Sequence, residues 1–240
     1  MPRSINALVE EQVRRWQLLR STKEVEARPP VITVTGQHGA RGDELSRHLA
    51  SHLKFDLFDR EIIHLIADSA DLSERVVAAL DQKRRTVLTD WLLGFKREHT
   101  FSPAEYRYHL ARVVGAIAQQ GRAVILGRGA NLLLGATALR VLAVAPLEAR
   151  VQGVMEDEDL SEREARRRIE AVEADRHAFI LTHYRAEFGD PTAFDLAVNT
   201  AALGVEGASS VVEAALAEKP DRTVPAGPWS TLMGIGKAPA

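Results

Sequence analysis

The stretch VITVTGQHGARGDELSRHLASHL, Val31 to Leu53, decides the fold. Val31 to Thr35 is an unbroken β-branched run, which favours a strand. Gly36, Gly39 and Gly42 punctuate the loop that follows, and Leu45, Leu49 and Leu53 then recur at helical spacing as a core-facing stripe. A strand, a glycine-rich loop and a helix in that order can hold an anion: the glycines let consecutive backbone N–H groups turn inward, and the helix adds its positive end.

The full phosphate-loop pattern, G-x-x-x-x-G-K-[ST], also supplies a lysine to the β/γ phosphates and a hydroxyl to Mg²⁺. When the strand and the leucines are aligned with it, Gly42 stands where the lysine belongs, Arg41 stands at the preceding glycine, and Asp43 and Glu44 replace the hydroxyl. The candidate nucleotide-binding segment therefore runs Gly36, Gln37, His38, Gly39, Ala40, Arg41, Gly42, Asp43, Glu44. Arg41 is the one cation inside it, and Glu44 is a candidate Mg²⁺ ligand in place of the hydroxyl. The competing reading is an ordinary tight turn, in which Asp43 and Glu44 only complement the helix dipole and His38 only covers the turn.

Four further runs read as strands: Phe55 to Phe58, Ala123 to Gly127, Leu139 to Ala145 and Phe194 to Thr200. Several are too uniformly apolar for a sheet with one wet face. Helix-start signals lie between them. Ser102, Pro103 and Glu105 fit N-cap, N1 and N3, Ser161 with Glu164 forms a second capping box, and Gly121 closes the helix that Ser102 opens. The expected fold is α/β, a three-layer sandwich of roughly five parallel strands with helices on both faces. A helical insertion from about Ile62 to Gln120 separates the second strand from the third.

Outside this core, residues 1–30 carry an amphipathic stripe of Ile5, Leu8, Val9, Val13, Trp16 and Leu19, ended by Pro29 and Pro30. Residues 219–240 are rich in proline and glycine without a period and read as a flexible tail. The expected domain thus spans residues 31–218. Among 240 residues, 31 Lys and Arg nearly balance 33 Asp and Glu, which argues against a nucleic-acid partner. No apolar run is long enough for a membrane span. The absence of cysteine excludes disulfides and thiolate chemistry, and a cytoplasmic protein is expected.

Several spaced motifs then join the loop in one order: FDRE after the second strand, GRGAN (Gly127 to Asn131), APLEARV (Ala145 to Val151), LSEREARRRIEAVEADR (Leu160 to Arg176) and GDPTAFDLAVNTAALGVEGA (Gly189 to Ala208). In that order, across roughly Val31 to Leu216, the chain resembles the cytidylate kinase-like family, a branch of the nucleoside monophosphate kinases. The resemblance implies a P-loop fold with a helical monophosphate-binding insertion and an arginine-bearing lid. It also implies ATP and Mg²⁺ as cofactors and a nucleoside monophosphate acceptor, CMP or dCMP foremost. Asp59, with Arg60 beside it, looks like an acceptor-facing residue and a second Mg²⁺ candidate. Gly127, Arg128 and Asn131 fall in the family's acceptor signature, with Arg128 gripping the monophosphate. Glu173 and Arg176 occupy the carboxylate and arginine of the lid, which Arg168 and Arg185 would extend. The chain departs from the family in its loop, usually GSGGRE, at Arg41, and at Gly153, where related kinases tend to carry a second basic residue.

Phosphoryl transfer needs alignment and positive charge more than covalent help, and arginines arriving from several loops can supply both. Arg128, Arg176 and Arg41 are therefore the catalytic candidates. Each has a plainer alternative: Arg168 as a solvated helix-face charge, Arg176 in a local ion pair with Glu173 or Asp175, and Asp59 as a helix cap. Two functions remain in play. One is the kinase; the other is a nucleotide sensor or scaffold on the same fold, engaging a protein partner or a second copy through the N-terminal helix or C-terminal tail.

Overall fold

The computed structural model describes residues 30–60, 63 and 103–219. Residues 1–29, the greater part of the expected insertion and the tail beyond 219 lie outside the described residues, as does the Ser102 cap.

All five expected strands are present: β1 (Val31–Gly36), β2 (Asp56–Phe58), β3 (Ala123–Leu126), β4 (Leu139–Val144) and β5 (Leu196–Asn199). They form one parallel sheet in the order β2-β3-β1-β4-β5. Between and after them run α1 (Gly42–Leu53), α2 (Pro103–Gln120), α3 (Ala130–Leu134), α4 (Leu147–Glu158), α5 (Glu162–Tyr184) and α6 (Thr200–Glu218). Four strands, β2 to β5, are shorter than their apolar runs. The fifth begins at Leu196 rather than Phe194, because residues 191–193 wind into a 3₁₀ turn capped by the Asp190 carboxylate.

Neither face of the sheet is wet, which explains the uniform apolar runs. On β1, Val31 packs into a layer with Phe58, Ile63 and the α2 residues Leu110, Val113 and Ile117. Ile32 and Val34 point the other way, onto Leu45 and Leu49 of α1 and Val212 of α6. A smaller cluster of Val151, Val154, Ala165 and Ile169 joins α4 to α5. The helix signals operate as read. The Gly121 amide closes α2 onto the Ile117 carbonyl, and both bonds of the Ser161–Glu164 capping box form at the start of α5.

Because every strand runs the same way, the loops after β1, β3 and β4 open at one end of the sheet, where open α/β sheets place their ligands.

Candidate active site

The β1–α1 loop is built to be narrow. Gly36 and Gly42, its two ends, stand back to back: a Cβ on either would lie 3.3 to 3.4 Å from the other's Cα. The apex is Gly39, in a left-handed conformation (φ 81°), where a Cβ would fall 2.6 Å from the Arg150 carbonyl oxygen. Gln37 ties the loop to the end of β4: its amide donates to Ala143 at 3.0 Å, and its side-chain carbonyl accepts from the Ala145 amide at 3.2 Å. Ala40 is buried, and its carbonyl accepts from the Thr200 hydroxyl at 2.9 Å. The glycines are thus required by close backbone approach, and the loop is held in a curled shape.

Beside it lies a cavity of about 440 Å³, lined by Gly36, Gln37, His38, Gly39, Arg41, Gly42 and Asp43 from the loop. Arg60, Gly127, Arg128 and Asn131 line it from beyond the ends of β2 and β3, and Asp175, Arg176 and Phe179 from α5. The expected donor and acceptor halves therefore meet in one space. Arg176 donates from Nη1 to the Gly36 carbonyl at 2.6 Å. Burial, and then the charge of Arg60, lower its pKa to about 10, against the pull of Glu173 and Asp43. It remains a cation at neutral pH, poorly solvated and beside a like charge. Such a group gains when an anion arrives. Arg128 donates from Nε to the Arg60 carbonyl at 3.1 Å, and its guanidinium lies 5.3 Å from the centroid of the Phe179 ring. Its terminal amino groups have no carboxylate partner among the described residues.

Other expectations are corrected. Glu173 does not pair with Arg176 or face the cavity; it accepts from Arg150 at 2.6 Å. Arg150, 8% exposed, also donates to the His38 carbonyl, so it is a strut between the loop, α4 and α5. Arg168 pairs with Glu158 at 3.0 Å on the outer surface, and Arg185 is an exposed left-handed residue ending α5; neither lines the cavity. Arg41 borders the cavity, half exposed, with its guanidinium 3.6 Å from the Glu44 carboxylate. Glu44 and Asp59, the metal candidates, are both outside the lining. The Asp59 carbonyl accepts from the Ile63 amide, as expected at the start of a helix. Among the described residues, no group of three or more acidic or imidazole side chains could hold a metal alone. Asp43 is the loop carboxylate that borders the cavity, although Arg47 holds it at 2.9 Å.

His38 has a lowered pKa, first through burial and then through Arg176, so its ring is neutral at pH 7. Its Nε2 has no hydrogen-bond partner among the described residues and lies 3.6 Å from Glu158. Asn131 is buried, accepting weakly from the Thr35 hydroxyl and reaching the Ala193 carbonyl, both at 3.5 Å. The sequence reading missed Tyr184 and Phe179, which support Arg128, and the strut role of Arg150. The one available signal was Gly129, a glycine whose Cβ would strike the Tyr184 ring.

The model of the cytidylate kinase-like family matches residues 31–202. A cytidylate kinase from Pyrococcus horikoshii is 30% identical over 187 residues, covering 78% of this chain and 88% of that protein. One from Thermococcus kodakarensis is 26% identical over 186 residues, 78% of this chain and 87% of that protein. A solved structure of an uncharacterized protein from Eubacterium ventriosum superposes with a TM-score of 0.57 at 16% identity, over 79% of this chain and 99% of that one. That last likeness concerns the fold alone. With the motif order, the curled loop and the convergent arginines, these matches establish that the chain belongs to the cytidylate kinase-like family.

Proposed function

We propose that the protein transfers the γ-phosphoryl group of ATP to a nucleoside monophosphate, with CMP or dCMP as acceptor. The observation that carries this reading is the meeting of Arg176, on the carbonyl of the first loop glycine, with Arg60 and Arg128 in one cavity. In the reaction the bond between the γ-phosphorus and the β–γ bridging oxygen breaks, and a bond forms to an oxygen of the acceptor phosphate. ADP and a nucleoside diphosphate result. The protein need only align the two nucleotides and surround the loose anionic transition state with positive charge.

The loop amides and the N-terminus of α1 receive the donor phosphates, and Arg128 with Arg60 binds the acceptor monophosphate. Arg176 lies between the two and exchanges the Gly36 carbonyl for the transferring group. The neutral His38 leaves the positive charge to the arginines. Mg²⁺ supplies charge neutralisation when bound. The donor set fits a metal carried mainly by nucleotide phosphates, with Asp43 as the nearby carboxylate, because Mg²⁺ commonly takes only one or two protein carboxylates. Cytoplasmic location accords with this chemistry. Among the described residues no helix is long and apolar enough to cross a membrane.

The pairing of Arg41 with Glu44 favours a second reading, a nucleotide sensor with a weakened donor loop. One experiment separates them: coupled-assay turnover with ATP, Mg²⁺ and each of CMP, dCMP, UMP and AMP, for the wild type and Arg128→Ala. The kinase predicts turnover highest with a cytidylate and reduced about 10³-fold in the variant. ATP binding without turnover on any acceptor would support the sensor.

A further inference from the structure

The most constrained backbone in the site follows β3. Gly127, Arg128 and Gly129 are three consecutive left-handed residues, with φ of 76°, 53° and 68°. Glycine adopts this conformation freely. Arginine does not, and a residue with a Cβ persists there only when its surroundings over-determine it.

The surroundings come from the C-terminal turns of α5. The Tyr184 hydroxyl donates to the Arg128 carbonyl at 2.6 Å. Its ring occupies the space beside Gly129, where a Cβ would lie 2.3 Å from a ring carbon, so the two fit only because residue 129 has no side chain. Phe179, one turn earlier, lies under the Arg128 guanidinium and packs edge-on to Tyr184, with centroids 6.2 Å apart. Burial raises the phenol's pKa, so the hydroxyl stays protonated and available as a donor. Tyr184 does not line the cavity, and any effect it has on a ligand passes through Arg128. Arg176 lies eight residues before Tyr184 on the same helix, about 12 Å along its axis, and holds the donor loop.

We propose that Tyr184 is a positioning residue for the acceptor: its hydroxyl locks the Arg128 peptide in its left-handed turn and so aims the guanidinium. α5 carries both this lock and Arg176, and the lock acts on the acceptor side alone. The assignment of the cavity to a monophosphate rests on the kinase reading; the lock rests on contacts within the chain.

The test compares full-length wild type, Tyr184→Phe, Arg128→Ala and the double variant. It measures KM for CMP and for ATP, and CMP affinity by calorimetry without ATP. Tyr184→Phe is expected to weaken CMP about tenfold in both measurements, since a carbonyl loses its donor. ATP KM should stay within about twofold, because binding free energy is lost only on the acceptor side. In the Arg128→Ala background the same change should have no further effect on CMP, as two residues acting through one contact are not additive. A merely structural role would weaken ATP and CMP alike. That result, unchanged CMP affinity, or an undiminished effect without Arg128 would each overturn the proposal. Should Tyr184→Phe not give folded protein, Gly129→Ala makes the same comparison by driving the ring off the loop, with the same selective loss expected. If the wild type binds CMP but never turns it over, the kinase reading fails while calorimetry still judges the lock. If it binds no nucleoside monophosphate at all, both fall.

Discussion

Arg176 donates a 2.6 Å hydrogen bond to the carbonyl of Gly36, a residue 140 positions earlier in the chain. The contact brings a cation of α5 to the first glycine of the β1–α1 loop while Arg60 repels it. The loop carbonyl is a weak partner for a buried cation, and an incoming phosphate is a stronger one.

Arg176→Ala should lower kcat by about 10³-fold or more, as expected for a guanidinium that stabilises phosphoryl transfer. Arg176→Lys should recover little of it, because an ammonium on a flexible stem cannot reproduce the forked geometry. Steady-state kinetics with ATP and CMP check both; near-wild-type kcat in the alanine variant would remove Arg176 from the chemistry.

Gly39→Ala should destabilise the protein by about 1–3 kcal/mol, since the backbone there is left-handed and the methyl meets the Arg150 carbonyl. Gly135→Ala is the control: also left-handed (φ 50°), but with nothing within 4 Å of the added methyl. Urea denaturation of the two variants separates backbone strain from collision, and Gly39→Ala should be the worse.

Glu173→Gln should cost about 1–3 kcal/mol, because Arg150 is buried and loses the carboxylate that neutralises it. Arg150→Met with Glu173→Leu should recover much of that loss, as apolar replacements of an ion pair often do. A double-mutant cycle of unfolding free energies measures the coupling; strict additivity would mean that the strut contributes nothing.

At the opposite end of the sheet, Asp195 accepts from Arg140 at 2.7 Å and from Lys219. Burial works to raise its pKa, but these bonds outweigh it and hold the carboxyl well below the usual range. The unfolded chain therefore takes up the proton first, near pH 4 for an ordinary aspartate, so this stabilisation is complete above about pH 4–5 and is lost as pH falls further. Asp195→Asn should lose about 1–3 kcal/mol near neutrality and show a flatter acid limb. Melting curves between about pH 7 and pH 3 test this.

What the sequence disclosed follows from the range of the forces involved. The strands were legible because a sheet covered on both faces needs apolar residues at every position, and the loop because its glycines answer to local backbone geometry. Arg128's place at the cavity was legible because it stands two residues past the end of β3. Glu173 and Arg150 were not, since an ion pair between two helices leaves no period to read. Helical phase separates the three arginines expected in the lid: at about 100° per residue, Arg168 is turned about 80° from Arg176 and position 185 about 180° from it. Only Arg176 of the three lines the cavity. The contact from Tyr184 to the Arg128 peptide spans 56 positions, and its one local trace was the missing side chain at Gly129.

Pro30 accepts from the Arg122 amide at the entrance to β1, and Lys219 reaches the Ala138 carbonyl at the entrance to β4. Residues 30 and 219 thus open on the same rim of the sheet, across the molecule from the cavity. A fluorescent label carried at residue 30 or 219 itself would sit behind the sheet, leaving the mouth free to be filled and emptied during single-molecule turnover.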